Sequence, residues 1–316
     1  MRNTSTARGW AAAIAAIWLS VAALPATAQE PAKVRAAFVP TASFLPLWVA
    51  KDEGIFAKLG LDVTLTPIQN LGLLPGAAGK QFEIIPSTPP DFLKAVAGGI
   101  DIVAVAGLVL DEKANTITQI VVPKASGITD IKQLAGKTVA APSIGAISNV
   151  AFLYWLKKSG VDPNSVKVVE VPYPNMGDQL KGGRVDAIQS IQPFLSKHLA
   201  EGNVSLGSHL LVVQDPALFV FWSAEGAWAK ANGKTLAKWE QALTQARARI
   251  KADEKAARAI LAKYTGLPPA IADTVPLPTY QFTIEAKQLQ TWDGVLRELG
   301  QLTQPLDIAK LVQTAR

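Results

Sequence analysis

The stretch FLPLWVAKDEGIFAKLGLDVTL, from Phe44 to Leu65, decides the fold of this chain. Its first half predicts a helix interrupted at Gly54, and its second half predicts a helical turn, a stop at Gly60 and a strand of alternating apolar residues. The apolar run Val34–Val39 comes before it and predicts a buried strand. Small hydroxyl residues in Pro40–Ser43 connect this strand to the helix, and such a connection can bind an anion at the helix N-terminus.

Strands and helices continue to alternate along the chain, which predicts an α/β protein with mostly parallel sheets. The pattern restarts after Lys124, and a long helical tail begins at Thr235. We therefore expect two lobes, each a mostly parallel sheet flanked by helices. Lobe 1 would comprise residues 29–123 and 215–316, and lobe 2 would comprise residues 124–214. Hinge positions are expected near Pro123–Lys124 and Val213–Gln214.

The first 28 residues have the features of a cleavable signal peptide. Arg2 and Arg8 give a positive start, Trp10–Leu24 is apolar, and Ala26–Ala28 is a small-x-small cleavage site. Cleavage after Ala28 would remove 28 of the 316 residues and leave 288, enough for two lobes. The segment predicts export to the periplasm.

Composition excludes several classes of function. Removing Arg2 and Arg8 lowers the formal charge from +6 to +4, and no basic block remains that would predict nucleic-acid binding. The chain has no Cys, which excludes thiol nucleophiles and thiolate metal sites. His198 is predicted on an exposed helix face and His209 at a strand edge, without partners at the spacing of a triad or a metal site. We therefore expect no cofactor, no metal and no enzymatic activity.

Three runs along the chain carry a family resemblance. They are Ala50–Val63, with AKDEGIF followed by LGLDV, then DIKQLAGKTVAAP at Asp130–Pro142, and LKGGRVDA at Leu180–Ala187. In order and spacing they resemble the periplasmic solute-binding proteins of sulfonate, nitrate and taurine ABC importers, which share the thiamine-pyrimidine-synthase-like fold. The sequence departs from the family pattern at two places. It has Ile144–Ala146 where many relatives have Gly-Ser, and Gln192–Pro193 where the family has Glu-Pro.

The resemblance implies a type II periplasmic-binding-protein fold, a two-lobed clamshell that closes on a small ligand. It further implies delivery of that ligand to a membrane permease with its ATPase, by a monomeric binding protein. The expected ligand is a small anion such as a sulfonate, nitrate, a taurine-like molecule or an aromatic carboxylate.

Three loops, two aromatic side chains and Gln192 form the predicted ligand site. The loop after the first strand, a Ser-Thr pair before a Pro-initiated helix and a small-residue loop before a second-lobe helix all offer hydroxyl and N–H donors. Alternatively, each hydroxyl could serve as a helix cap without contacting a ligand. The predicted ligand-binding residues are Thr41, Ser43, Phe44, Ser87, Thr88, Gly145, Ser148, Asn149, Gln192 and Trp222.

Two alternatives remain open from the sequence. The expected fold is similar to that of the thiamine-pyrimidine synthases, so the chain could be a pyrimidine-precursor-binding protein or a synthase-like enzyme. Those enzymes use a Cys-rich motif, which this chain lacks. A periplasmic sensor partner without an importer is also compatible with every motif.

Overall fold

The stretch from Phe44 to Leu65 folds as predicted. Strand β1 (Ala32–Phe38) leads through a short 3-10 turn, Ala42–Phe44, into helices α1 (Leu45–Asp52) and α2 (Ile55–Lys58), and strand β2 (Leu61–Pro67) follows. The two strands pair in parallel over their whole length. Parallel neighbours need a crossover connection, which α1 and α2 supply. The computed structural model describes residues 30–68 and 71–314, and the predicted signal peptide, residues 1–28, lies outside them.

The remaining elements follow in alternation. The strands are β3 (Ile85–Ser87), β4 (Ile102–Asp111), β5 (Thr118–Val122), β6 (Thr138–Ala141), β7 (Lys167–Glu170), β8 (Ala187–Ile191), β9 (Val204–Gly207), β10 (Ala217–Glu225) and β11 (Thr279–Tyr280). The helices are α3 (Pro89–Ala97), α4 (Ile147–Lys158), α5 (Tyr173–Lys181), α6 (Phe194–Ala200), α7 (Gly226–Ala231), α8 (Gly233–Ala252), α9 (Glu254–Thr265), α10 (Pro269–Ala272) and α11 (Ala286–Glu298).

The first sheet group contains β1 to β4, β10 and β11. Four of these strands form a sheet in the order β11-β4-β10-β3, with antiparallel pairing throughout. A parallel bridge between Ala36 and Ile84 connects β1 and β2 to it. Every residue of β4 is buried, so both faces of this strand are covered. Helices α8, α9 and α11 of the C-terminal part pack against α1 and α3 of this group.

The second sheet group is a five-stranded sheet in the order β7-β6-β8-β5-β9. Its two faces bury separate hydrophobic clusters. Phe152 and Leu156 of α4 pack on one face, and Met176 and Leu180 of α5 pack on the other. The alternating side chains of β5 divide accordingly, since Ile120 joins the first cluster and Val121 the second.

The α/β class with two sheet groups is confirmed, and the direction of strand pairing differs in part from the prediction of mostly parallel sheets. Pairing is parallel in β1–β2 and in β7–β6–β8, whereas β5 and β10 run antiparallel to their neighbours. These two strands directly follow the segments, 112–117 and 208–216, in which the chain passes between the groups. No α-helix lies in these two described segments, so neither connection is the helical crossover typical of parallel neighbours.

The predicted lobe boundaries at 123 and 214 remain predictions. Strand β5, which the sequence prediction assigns to lobe 1, pairs with β8 and β9 of the second group. We propose that the first crossing lies before Thr118 and the second between Ser208 and Pro216. Among the helices of the described ranges, none has the length and apolarity that crossing a bilayer requires.

Candidate functional site

The loop after β1 presents two free hydroxyls. Thr41 and Ser43 are 8% and 3% exposed. In the described part of the chain, neither hydroxyl makes a hydrogen bond, and Thr41 does not cap the turn that it precedes. The loop is held by Tyr280, whose phenol donates to the carbonyl oxygen of Ala42 at 2.7 Å. Two unused donors therefore lie at the carboxyl end of β1, where open α/β sheets bind ligands.

Two predicted aromatic residues, Phe44 and Trp222, contact each other beside this loop. Their ring centroids lie 5.8 Å apart at 75°, the edge-to-face geometry favoured by aromatic pairs. Trp222 also meets Trp239 edge-on at 5.2 Å. The indole N–H of Trp222 is buried and has no partner within the described residues. Aromatic packing thus fixes both rings in the hydrophobic core of the first sheet group, and their role toward a ligand stays a prediction.

Ser87 and Thr88 are both 2% exposed and use their hydroxyls locally. Ser87 Oγ lies 2.6 Å from Ser223 Oγ on the neighbouring strand β10. Thr88 donates to Asp91 Oδ2 at 2.7 Å instead of capping a backbone N–H of α3. Burial raises the pKa of Asp91, although this hydrogen bond and the charge of Lys94 oppose the rise. Because its proton points to Asp91, the Thr88 hydroxyl has no proton left to donate to an anion.

The second-sheet loop before α4 is ordered by hydrogen bonds to Gly145. This residue has φ +81°, a conformation that side chains disfavour, so glycine fits the turn. Its N–H donates to Asn149 Oδ1 at 3.0 Å, and its carbonyl oxygen accepts from Lys94 Nζ at 2.6 Å. Asn149 is 1% exposed, and its Nδ2 has no partner among the described residues. A buried amide with unused donors needs a partner, and a ligand could supply one.

Ser148 and Gln192 have partners in their own surroundings. Burial raises the pKa of Tyr173 to about 12, against the opposing effect of its hydrogen bond with Ser148. Gln192 Oε1 accepts from Ser196 Oγ at 2.8 Å and from the Ser196 N–H at 3.3 Å, within the first turn of α6. Gln192 therefore closes the start of α6, and its role toward a ligand stays a prediction.

Lys94 belongs to no sequence motif, and both histidines lie in surroundings other than those predicted. Lys94 lies on α3, 51 residues from Gly145 in sequence, and no motif connects the two. His198 was predicted on an exposed face, but it is 2% exposed, and its Nδ1 lies 2.9 Å from Ser190 Oγ. The close approach of Gly177 to His198 shows how α5 and α6 enclose this ring. His209 is fully buried at the start of a 3-10 turn, not at a strand edge.

Two surface cavities lie away from the predicted ligand residues. One of about 560 Å³ is lined by Phe38, Lys51, Lys263 and Tyr264 among others, and the second, about 510 Å³, lies beside Leu153 and Lys157. None of the ten predicted residues lines either cavity. Nine of the ten predicted residues are buried, and Gly145 is partly buried. No group of three or more His, Asp or Glu side chains in the described ranges could hold a metal ion.

Known structures share this fold. The alkanesulfonate-binding protein SsuA of Xanthomonas axonopodis pv. citri, solved with MOPS bound, superposes with a TM-score of 0.77 at 22% identity and covers 91% of this chain and 100% of its own. The periplasmic nitrate-binding protein NrtA of Synechocystis PCC 6803 superposes with a TM-score of 0.73 at 15% identity, over 88% of this chain and 84% of its own. The predicted two-lobed periplasmic-binding-protein fold is thereby confirmed.

Sequence comparison leads to the same group of proteins. The nitrate/nitrite binding protein NrtA of Nostoc sp. PCC 7120 is 26% identical over 212 residues, which cover 61% of this chain and 48% of that protein. The chain spans about half or less of the length of the curated relatives that it matches. The model of the family described as NMT1/THI5 like matches residues 41–211. This match covers more than half of the sequence, and the chain belongs to the NMT1/THI5-like family.

Proposed function

We propose that this protein is the extracytoplasmic solute-binding component of an ABC importer. It captures a small anion between its two sheet groups and delivers it to a membrane permease that works with an ATPase. Family membership supports this proposal, as does the fold shared with proteins named as sulfonate- and nitrate-binding. Periplasmic location, reached through cleavage after Ala28, and action as a monomer are part of the proposal.

The observation that carries the proposal is a set of unused donors in loops of both sheet groups. The hydroxyls of Thr41 and Ser43 come from the first sheet group, and the Nδ2 of Asn149 comes from the second. Hydrogen bonds to an ionised oxygen are roughly twice as strong as neutral ones, so neutral donors can hold a small anion in a closed site. Since the donors come from both groups, a bound anion would stabilise the closed form.

Two further features support a binding role over catalysis. Neither imidazole is hydrogen-bonded to a carboxylate within the described residues, as the base of a catalytic triad would be: His198 Nδ1 pairs with Ser190 Oγ, and both ring nitrogens of His209 lack a partner. The unused donors are uncharged, and the nearby ammonium of Lys94 is bound to the carbonyl oxygen of Gly145, which favours a ligand of low charge over a dianion. The ligand class that we propose is therefore a monoanion, such as nitrate, an alkanesulfonate or a monocarboxylate.

The test is a calorimetric titration of the purified protein with nitrate, ethanesulfonate, taurine and benzoate. At least one should bind and raise the melting temperature. Thr41→Ala, Ser43→Ala and Asn149→Ala should each weaken binding by about 1–2 kcal/mol, since each removes one donor to the anion. Ser205→Ala on the exposed strand β9 serves as the control and should leave the affinity unchanged. Absence of binding by nitrate, ethanesulfonate and benzoate would refute the monoanion class, whereas taurine, a zwitterion at neutral pH, tests the taurine-like ligand separately.

A further inference from the structure

Helix α4 is apolar on two sides and belongs to both sheet groups. Ile147, Val150 and Ala151 share one hydrophobic cluster with the core of the first group. Phe152 and Leu156 belong to the cluster of the second group. All five side chains are at most 4% exposed. Opening of the clamshell would therefore have to uncover the first set while leaving the second in place.

A lysine from the first group binds the loop at the N-terminal end of α4. Lys94 Nζ on α3 donates to the carbonyl oxygen of Gly145 at 2.6 Å, and Lys94 is partly buried. The same residue, Gly145, donates its N–H to Asn149 Oδ1. Lys94 and Asn149 thus hold Gly145 from two sides, and Asn149 is the residue whose Nδ2 is unused.

At the C-terminal end of α4, a lysine of the second group binds a carbonyl oxygen of the first group. Lys157 Nζ donates to the carbonyl oxygen of Glu298, the last residue of α11 in the first group. An ammonium group at a helix C-terminus is also favoured by the helix dipole. The cavity of about 510 Å³ lies at this end, lined in part by Leu153, Leu299 and Gln301. The interface around α4 is therefore closely packed at its N-terminal end and open at its C-terminal end.

We propose that Lys94 is a positioning residue that couples closure of the two sheet groups to the second half of the ligand site. When the groups close, its ammonium reaches the carbonyl oxygen of Gly145 and sets the loop from which Asn149 Nδ2 faces the ligand. Lys157 fastens the other end of α4 and acts on closure alone, because the twelve residues of the helix place it about 18 Å from Gly145. The role toward the ligand rests on the proposed function, whereas the role in closure does not.

The experiment measures closure without any ligand. Because the chain has no Cys, Ala135→Cys and Ala237→Cys introduce one labelling position on an exposed residue of each sheet group. Fluorescence energy transfer between two dyes then reports the closed fraction. Lys94→Met and Lys157→Met keep the apolar stem and remove the ammonium, so both should lower the closed fraction. A closed fraction equal to that of the unsubstituted protein in Lys94→Met would overturn the proposal.

Titrations with nitrate and ethanesulfonate separate the two lysines. If binding needs the closed form, the apparent affinity falls in proportion to the closed fraction, and Lys157→Met should show only this loss. Lys94→Met should lose at least roughly threefold more affinity than its closed fraction predicts, because the loop is no longer positioned. Equal proportional losses in both variants would show that Lys94 acts on closure alone and would overturn its positioning role. If neither compound binds the unsubstituted protein, the monoanion proposal fails, while the closure measurement still decides the role of Lys94 in closure.

Discussion

His209 is a neutral imidazole enclosed by the protein. It is 0% exposed, and neither ring nitrogen has a hydrogen-bond partner within the described residues. Burial lowers its pKa to about 3. In the unfolded chain the same ring takes up a proton near pH 6.5. Below pH 6.5 the unfolded state therefore binds one more proton than the folded state, and the stability of the protein falls as the pH is lowered toward 3.

Urea denaturation between pH 7 and pH 5 tests this linkage. At pH 5 the contribution of His209 should amount to about 2 kcal/mol of lost stability. His209→Gln removes the titration, so the variant should lose that much less stability than the unsubstituted protein over this interval. Burial raises the pKa values of Asp91 and Asp111, which gives a pH dependence of opposite sign. This effect is the same in both proteins and cancels in the comparison. An equal loss of stability in the two proteins would contradict the prediction.

Single residues also show which parts of the candidate site can be predicted from the sequence. The small hydroxyl residues at Thr41 and Ser43 and the turn at Gly145 follow from local patterns, and the structure places them in loops next to strands and helices as expected. Lys94 could not be found in this way, because its partner Gly145 is distant in sequence and only the closed fold brings them together. The burial of His198 depends likewise on close packing of α5 and α6 at Gly177.

Among the elements, the predicted unit from β1 to β2 matches the structure because its signals are local. The break at Gly54 and the alternation in β2 lie within the segment that they determine. The antiparallel direction of β10 has no such signal. Its apolar residues would be equally compatible with a parallel neighbour, since a strand buried on both faces has the same pattern in either case.

Strand β4 contains a glycine, Gly107, that another backbone approaches closely. Its N–H donates to the carbonyl oxygen of Phe282 at 2.9 Å. A Cβ at this position would lie 2.4 Å from the carbonyl oxygens of both Gln281 and Thr283. Gly107→Ala should therefore displace the segment around Phe282 and lower the free energy of unfolding by about 1–3 kcal/mol, as overpacking of a core does.

A matched substitution in α11 should act in the opposite direction. Nothing lies within 4 Å of a Cβ added at Gly294, and this residue is within the helix. Gly294→Ala should stabilise the protein by about 0.5–1 kcal/mol, because alanine loses less backbone entropy in a helix. Thermal denaturation of both variants provides the measurement. Destabilisation of equal size at the two positions would indicate that backbone contact at Gly107 is not the cause.

A buried carboxylate connects both segments in which the chain crosses between the sheet groups. Asp111, at the end of β4, is 0% exposed. Its Oδ1 accepts from the N–H of Ile117 at 2.9 Å, and its Oδ2 accepts from Thr118 Oγ1 at 2.5 Å, both in the first crossing or just after it. The same Oδ2 accepts from Ser208 Oγ at 3.0 Å, at the start of the second crossing. Asp111 therefore links the two crossings from inside the protein, whereas the hydrogen bond from Lys113 N–H to Asp215 links them at the exposed surface.

Asp111→Ala should weaken this connection in two measurable ways. Three buried or partly buried donors lose their acceptor, which should lower the free energy of unfolding by about 1–3 kcal/mol. Exchange of the Ile117 amide hydrogen should accelerate in the native state, because its hydrogen bond is removed where the chain crosses. Asp215→Ala is the control, since this exposed carboxylate accepts only one hydrogen bond in the described chain, from Lys113 N–H at 3.2 Å, and should change stability by less than about 0.5 kcal/mol. Equal effects of the two substitutions would mean that the crossings are fixed by strand pairing alone, without the buried carboxylate.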